Sequence, residues 1–299
     1  MGSGLAAARC PGGTNERREG DYKAVSGVAE IGFARRDGAT RLAHLHQRNP
    51  LRVLFPTAEP GDAALAVLVT TSGGLVAGDR LAILIDAEAG TVAHVTASAA
   101  EKIYRSTGAA TTTIEQNFTV GENAWLEVLP PETILFDGAR LRRRATLQLA
   151  SGAGFLGGGM TVFGRRARAE HFTRGLLHDC LEVWRGGRLA WGDALHLDGD
   201  IAATIADPAC FAGAAACASL ILAPPDGDPG RFVDAARAAQ QQSAAEGLRG
   251  GVTAVNGVLV ARWLAADPLA LRRAFADLAC HLREAAMGLP ARLPRLWQA

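Results

Sequence analysis

Four stretches of this sequence carry residue types at spacings that could support chemistry. Gly73-Gly74-Leu75-Val76-Ala77-Gly78-Asp79-Arg80 has the glycine spacing of a phosphate-binding loop, but Asp79 stands where that loop needs lysine. A carboxylate there repels phosphate, so nucleotide binding is refused and a tight glycine turn explains the glycines. Glu132 and Asp137 flank the run Thr133-Ile134-Leu135-Phe136 and could serve as a glycosidase acid and base, or simply cap a strand. Glu170-His171 pairs a carboxylate with an imidazole, both ligands for first-row divalent ions. Adjacent residues on a strand face opposite ways, however, so this pair would not chelate together there. His44 and His46 would share a strand face, which suits either a metal chelate or an exposed strand edge.

Other chemistries are disfavoured. Gly152, Gly154 and Gly157 match a dinucleotide fingerprint, but Gly158-Gly159-Met160-Thr161-Val162-Phe163 reads as a further strand, not the helix that would hold a pyrophosphate. No G-x-S-x-G nucleophile elbow occurs. Cys10, Cys180, Cys210, Cys217 and Cys280 form an odd, scattered set without a C-x-x-C pair, which argues against a disulfide framework and a zinc ribbon.

The elements that must position these residues are mostly strands. Leu65-Val67-Val69, Leu81-Ile83-Ile85, Leu126-Val128, Leu147-Leu149 and Leu181-Val183 alternate with period two, and glycine or proline turns separate them at short intervals. Arg185-Gly186-Gly187-Arg188 and Asn256-Gly257 each predict a tight hairpin. Two helices are predicted late in the chain. One covers about 230–246; the other opens at Asp267-Pro268, aligns Leu271, Phe275, Leu278 and Leu282, and ends before Gly288. The expected fold is therefore mainly β: many short strands in a layered or helically wound, solenoid-like body with about two C-terminal α-helices. Residues 1–22 read as a disordered leader, 23–299 as a single domain, and the Pro-punctuated tail from Leu289 as extended on the surface.

The 299 residues are 48% apolar and 20% charged, with net charge +1, an ordinary globular composition. The most apolar region, Ile201 to Ala223, is broken by Asp207-Pro208, so no membrane span is expected and the default compartment is the cytoplasm. Charge is unevenly laid down: residues 79–137 are strongly acidic, while 140–174 carry eight arginines against Glu170. The basic block lacks interleaved aromatics and any nucleic-acid module pattern, so solvated faces or an acidic protein partner are the better expectation, and no nucleic-acid partner is expected.

Five segments together carry a resemblance. They are Ser72 to Leu81, Lys102-Ile103-Tyr104-Arg105-Ser106, Leu129 to Arg140, Asn256 to Arg262, and Pro294-Arg295-Leu296-Trp297. In order and spacing they resemble the UreD family of urease accessory proteins, called UreH in some organisms, from about residue 25 to the C-terminus. The resemblance implies a non-enzymatic nickel-handling chaperone with a mainly β fold. It would bind apo-urease and UreF, which recruits the GTPase UreG, with no tightly bound cofactor and Ni2+ as transient cargo. The runner-up reading is a carbohydrate-active enzyme on a β-solenoid-like scaffold using Glu132 and Asp137.

Such a carrier must bind an ion firmly enough to admit it and weakly enough to release it, which suits dispersed carboxylates better than a closed Cys/His cage. The candidates for this metal path are Asp79, Glu101, Glu132, Asp137, Glu170 and His171, with Asp79 and Asp137 first because each adjoins a glycine. The chain departs from the family pattern at Thr71-Ser72, at Glu101, and at Gly158-Gly159, where a Trp and an acid are expected. Any role of that acid must be absent or displaced here.

Overall fold

The computed structural model describes residues 24–243 and 245–297; the expected leader at 1–22 lies outside them. In chain order the first strands are β1 (Ser26–Arg36), β2 (Ala39–Arg48), β3 (Leu51–Leu54), β4 (Ala64–Thr70), β5 (Arg80–Ala87), β6 (Val92–Ala97), β7 (Glu101–Ile103), β8 (Thr112–Val120) and β9 (Trp125–Val128). There follow β10 (Thr133–Leu135), β11 (Arg140–Leu149), β12 (Gly154–Phe163), β13 (Leu176–Arg185), β14 (Arg188–Leu197), β15 (Ala216–Ala223), β16 (Leu248–Val255) and β17 (Val258–Ala265). Three helices join them: α1 (Ile201–Ala206), α2 (Gly230–Gln242) and α3 (Pro268–Met287).

The strands form two sheets. The first has the order β14-β13-β11-β8-β5-β1-β2 and the second runs β16-β17-β15-β12-β9-β6-β4-β3, with β10 added beside β12 and β7 beside β10. From β4 to β13 the chain winds between the two sheets, stacking β5, β8, β11 and β13 in parallel in the first and β4, β6, β9 and β12 in parallel in the second, with the short β7 and β10 paired in parallel with each other at the side. This is the expected solenoid-like winding, with about four turns. Antiparallel hairpins β1–β2 and β13–β14 close the ends of the first sheet.

Register explains the winding. Ile31, Ile85, Phe118, Leu147 and Val183 stand side by side across five strands, all buried against the second sheet. Because side chains alternate, each strand contributes one apolar residue to that row and a one-residue slip would expose all of them. A second core lies between the outer face of the second sheet and α2, α3 and the tail.

Both predicted hairpins form, with Gly186 (φ 56°) and Gly187 (φ 76°), and with Asn256 (φ 47°) and Gly257 (φ 82°), in the left-handed region that two-residue loops require. The Asp267 side chain accepts from the backbone N–H of Leu269 and Ala270, as an N-cap should. Leu271, Phe275, Leu278 and Leu282 are all buried, and each contributes roughly 1.5–3 kcal/mol by leaving water.

The tail corrects the sequence reading. Instead of lying extended on the surface, it folds back over α3 and buries Trp297, 7% exposed and stacked on Phe275 with ring centroids 5.7 Å apart. The Trp297 indole N–H donates to the Leu129 carbonyl at 3.3 Å. Burying Trp297 with Leu289 and Leu293 outweighs the extended preference that the prolines impose.

Candidate functional site

Three of the motif segments, about thirty residues apart in sequence, are stacked in space. Leu75 donates from its backbone N–H to the Lys102 carbonyl, Tyr104 returns a bond to the Leu75 carbonyl, and Phe136 donates to the Ile103 carbonyl. A side chain at Gly74 would meet the Tyr104 ring at 2.7 Å and the Lys102 carbonyl at 2.9 Å, so this glycine is required by close approach. The Tyr104 hydroxyl closes the stack on the Gly73 carbonyl at 3.0 Å, and its ring meets Phe136 edge-on at 4.9 Å.

The six candidate residues fall into different environments. Asp79 is fully buried and accepts from the backbone N–H groups of Val25 and Val76, both at 2.9 Å. It ties the glycine turn to the start of β1. Asp137 accepts from the Thr173 N–H and hydroxyl, both at 2.8 Å, and from the Arg174 N–H, with Arg105 and Arg174 guanidinium groups nearby. Partial burial pushes its carboxyl up, but these hydrogen bonds and the Arg174 charge outweigh that and hold it below the usual range.

Glu170 adjoins Asp137: one carboxylate oxygen accepts from the Asp137 N–H at 3.2 Å, while Arg165 grips both oxygens and lowers its pKa. Arg165 itself lies over the Phe136 ring at 4.4 Å. His171 is exposed and engaged by Arg166. Asp137 and Glu170 are therefore brought together, but as members of an arginine-bound cluster. Glu132 extends toward α3, 3.5 Å from Arg272. Glu101 lies in register with Thr133, accepts from the Thr70 hydroxyl at 2.8 Å, and is pushed up by burial. Glu132 and Asp137 thus hold different elements, α3 and the 173–174 turn, as strand-end caps do. His44 and His46 are exposed on the edge strand β2, where His44 faces Glu30 at 3.3 Å.

Between the sheets lies a polar group that the sequence reading missed. Arg143, on β11, points inward and donates from Nη1 to the Thr133 hydroxyl of the second sheet at 2.9 Å. Its Nε and Nη2 grip both carboxylate oxygens of Asp179 on β13, its neighbour in register. Burial works against the Arg143 charge, and Asp179, with a contribution from Glu101, more than restores it. The surrounding cavity, about 140 Å³, is also lined by Gln116, Asp193, Cys217 and Gly158-Gly159. Burial pushes the Cys217 thiol up to about 12, which keeps it protonated.

The two glycines have separate reasons. A side chain at Gly158 would collide with the Ser219 carbonyl at 2.1 Å; one at Gly159 would point at Arg143, 3.8 Å away. Asp179 supplies a carboxylate at this point from the opposite sheet. The signal was legible in principle: in Leu141-Arg143-Ala145-Leu147, Arg143 occupies an inward position of an otherwise buried alternation. It was obscured by the adjacent arginines, which read as one solvated block. Among the described residues, no group of three or more His, Cys, Asp or Glu is placed to hold a metal ion, and no helix is long and apolar enough to cross a membrane.

Fold and site together define a class: a two-sheet β-solenoid scaffold with a charged, polar interior and a helical layer packed on one side. The family profile of the UreD urease accessory protein matches residues 25–298. The chain is 42% identical over 275 residues to the urease accessory protein UreD of Magnetococcus marinus, covering 91% of this chain and 94% of the relative. It is 43% identical over 263 residues to that of Methylobacterium sp. strain 4-46, covering 87% and 90%. With the corresponding protein of Rhodopseudomonas palustris strain BisA53 it shares 40% over 278 residues, 92% of each chain. The chain belongs to the UreD family of urease accessory proteins, whose role is accessory and not catalytic.

Proposed function

We propose that this chain is a urease maturation factor working in the cytoplasm as a nickel-insertion chaperone, with residues 23–299 acting as one domain. It docks apo-urease and UreF, reaches UreG through UreF, and lets Ni2+ pass as transient cargo to the urease active site. Family membership supports the urease role. The observation that carries the nickel reading is the polar row between the sheets, where Glu101, Thr133, Arg143 and Asp179 interrupt an apolar core.

Buried polar residues in such a position cost stability unless they are paired and hydrogen-bonded, as Arg143 and Asp179 are, and dispersed carboxylates suit an ion that must leave again. Of the six residues singled out by sequence, Glu101 is the one adjoining this row, so the path assigned to it includes Glu101 and Asp179, with Asp193 beyond. Asp179 takes the part of the acid missing at Gly158-Gly159. Asp79 serves the fold; Asp137, Glu170 and His171 form an arginine-bound surface cluster, and Glu132 anchors α3.

The test is metal analysis of urease produced with its other accessory chains, in the presence and absence of this one, at ordinary nickel supply. Urease made without it is expected to be nickel-poor and inactive, and fully metallated urease from those cells would overturn the proposal. Pull-down with UreF, and with UreG only when UreF is present, tests the docking order.

A further inference from the structure

On the outer face of the first sheet, β13 and β14 set His178 directly opposite His196. Their Nδ1 atoms are 3.3 Å apart, and the rings meet at 72° with centroids 5.3 Å apart. Two imidazole nitrogens can face each other in two ways. Either one carries a proton and donates to the other, or both lone pairs converge on a cation.

The spacing suits a shared ion as well as a hydrogen bond. With metal–nitrogen bonds of roughly 2.0–2.1 Å, nitrogens at this separation subtend about 105° at a shared ion, near the tetrahedral angle. A few tenths of an ångström of closure gives the right angle of an octahedral site. Cys180, two residues along β13 on the same face, places its Sγ 3.1 Å from the other ring nitrogen of His178, Nε2. When Nε2–H donates to that sulfur, Nδ1 is left with its lone pair directed at His196, the arrangement that commonly orients a ligating histidine.

The surroundings bear on affinity. His178 is half-buried and His196 exposed, so an ion can arrive with part of its water shell. Arg142 is the neighbour of His178 on β11, and Arg144 lies one outward position along, paired with Glu182. A guanidinium beside the site weakens cation binding and keeps the ion exchangeable.

We infer that His178 and His196 form a two-nitrogen chelate for a divalent ion of the nickel–copper–zinc group, with water filling the remaining positions. Imidazole suits these ions, and their affinity for such ligands is the highest of the divalent first row. The site does not depend on the urease reading: a chain with no part in nickel delivery would bind the ion equally, and the urease role stands if the chelate fails.

The experiment is calorimetric titration of the full chain, stripped of metal, with NiCl2. One equivalent is expected to bind, and either His178→Ala or His196→Ala should weaken that step by roughly tenfold or more, since each removes one arm of a linked pair. His44→Ala combined with His46→Ala should leave it unchanged. The inference is overturned if the wild-type chain shows no such step, if only one of the two single variants weakens it, or if it disappears with His44 and His46. Both single substitutions lie on the solvent face, and unchanged thermal unfolding would show that a lost step is not a lost fold.

Discussion

Arg283 on α3 donates from Nε and Nη2 to the two carboxylate oxygens of Glu127 on β9, at 3.1 and 3.0 Å, with both side chains fully buried. The same carboxylate accepts from the Trp125 indole at 3.1 Å and meets His94 Nδ1 at 3.0 Å. Arg283 also reaches Asp62 and the carbonyls of Pro290 and Arg292. One arginine thus fastens α3, the 62-region loop and the tail to the second sheet. Arg283→Met leaves the buried Glu127 carboxylate with only His94 and Trp125 and strips Asp62 of its buried partner, so it should destabilise the chain by about 3–5 kcal/mol. Urea unfolding would show it. Glu127→Leu combined with Arg283→Met should recover part of the loss, because no buried Glu127 charge is left stranded.

The same pair predicts a pH dependence. Burial pushes Glu127 up, but the hydrogen bond and charge of His94 and the Arg283 guanidinium outweigh it and hold the carboxyl at about 2, against an ordinary value of 4.5. The folded state therefore binds this proton less readily than the unfolded chain does. The resulting stability is fully present above pH 4.5 and is lost as pH falls from there toward 2. Denaturant midpoints measured from pH 6 down to pH 3 should decline, and Glu127→Gln should decline less steeply.

Asp79 shares first rank with Asp137 among the sequence candidates, and its geometry predicts a structural phenotype. Asp79→Ala strands the partly buried N–H groups of Val25 and Val76, and a donor left unpaired out of water costs about 1–3 kcal/mol when fully buried, less here. A lowered melting temperature is expected, with Asp79→Asn milder because one acceptor survives. Reduced nickel loading in Asp79→Ala that is restored by lowering the growth temperature would place the defect in folding. Loss of loading at unchanged stability would return Asp79 to the ion path.

What the sequence made legible follows its local rules. Period-two alternation, Asn256-Gly257, Gly186-Gly187 and the Asp267-Pro268 start each act over a few residues, and each is realised. The stacking of Gly74 on Tyr104 was implicit in motifs that sequence could only set side by side. Contacts across the fold were not legible. Arg143 meets Asp179 over 36 residues, and Arg283 meets Glu127 over 156, and no pattern in a single chain pairs residues at such distances. The six-residue helix α1 was missed for the opposite reason: Ile201-Ala202-Ala203-Thr204-Ile205-Ala206 is too short to show a helical stripe, and its only sign is Asp200, whose side chain accepts from the Ala203 N–H.

Glu101 separates stability from function most cleanly. Burial pushes its carboxyl up, and the Thr70 hydroxyl, the Lys102 backbone N–H and the charges of Arg143 and Lys102 offset this only in part. Its pKa being above 4.5 in the folded state, the group favours folding at low pH, and that contribution is lost as pH rises through the raised value. Glu101→Gln keeps an acceptor for Thr70 and removes the cost of an ionised buried carboxylate. The variant should therefore be more stable than the wild-type chain at pH 8, with the gain vanishing near pH 4. If Glu101 hands nickel onward, urease matured with this sturdier variant should nonetheless contain less nickel, as measured by elemental analysis. Full nickel content alongside the stability gain would take Glu101 off the path and leave Asp179 to carry it.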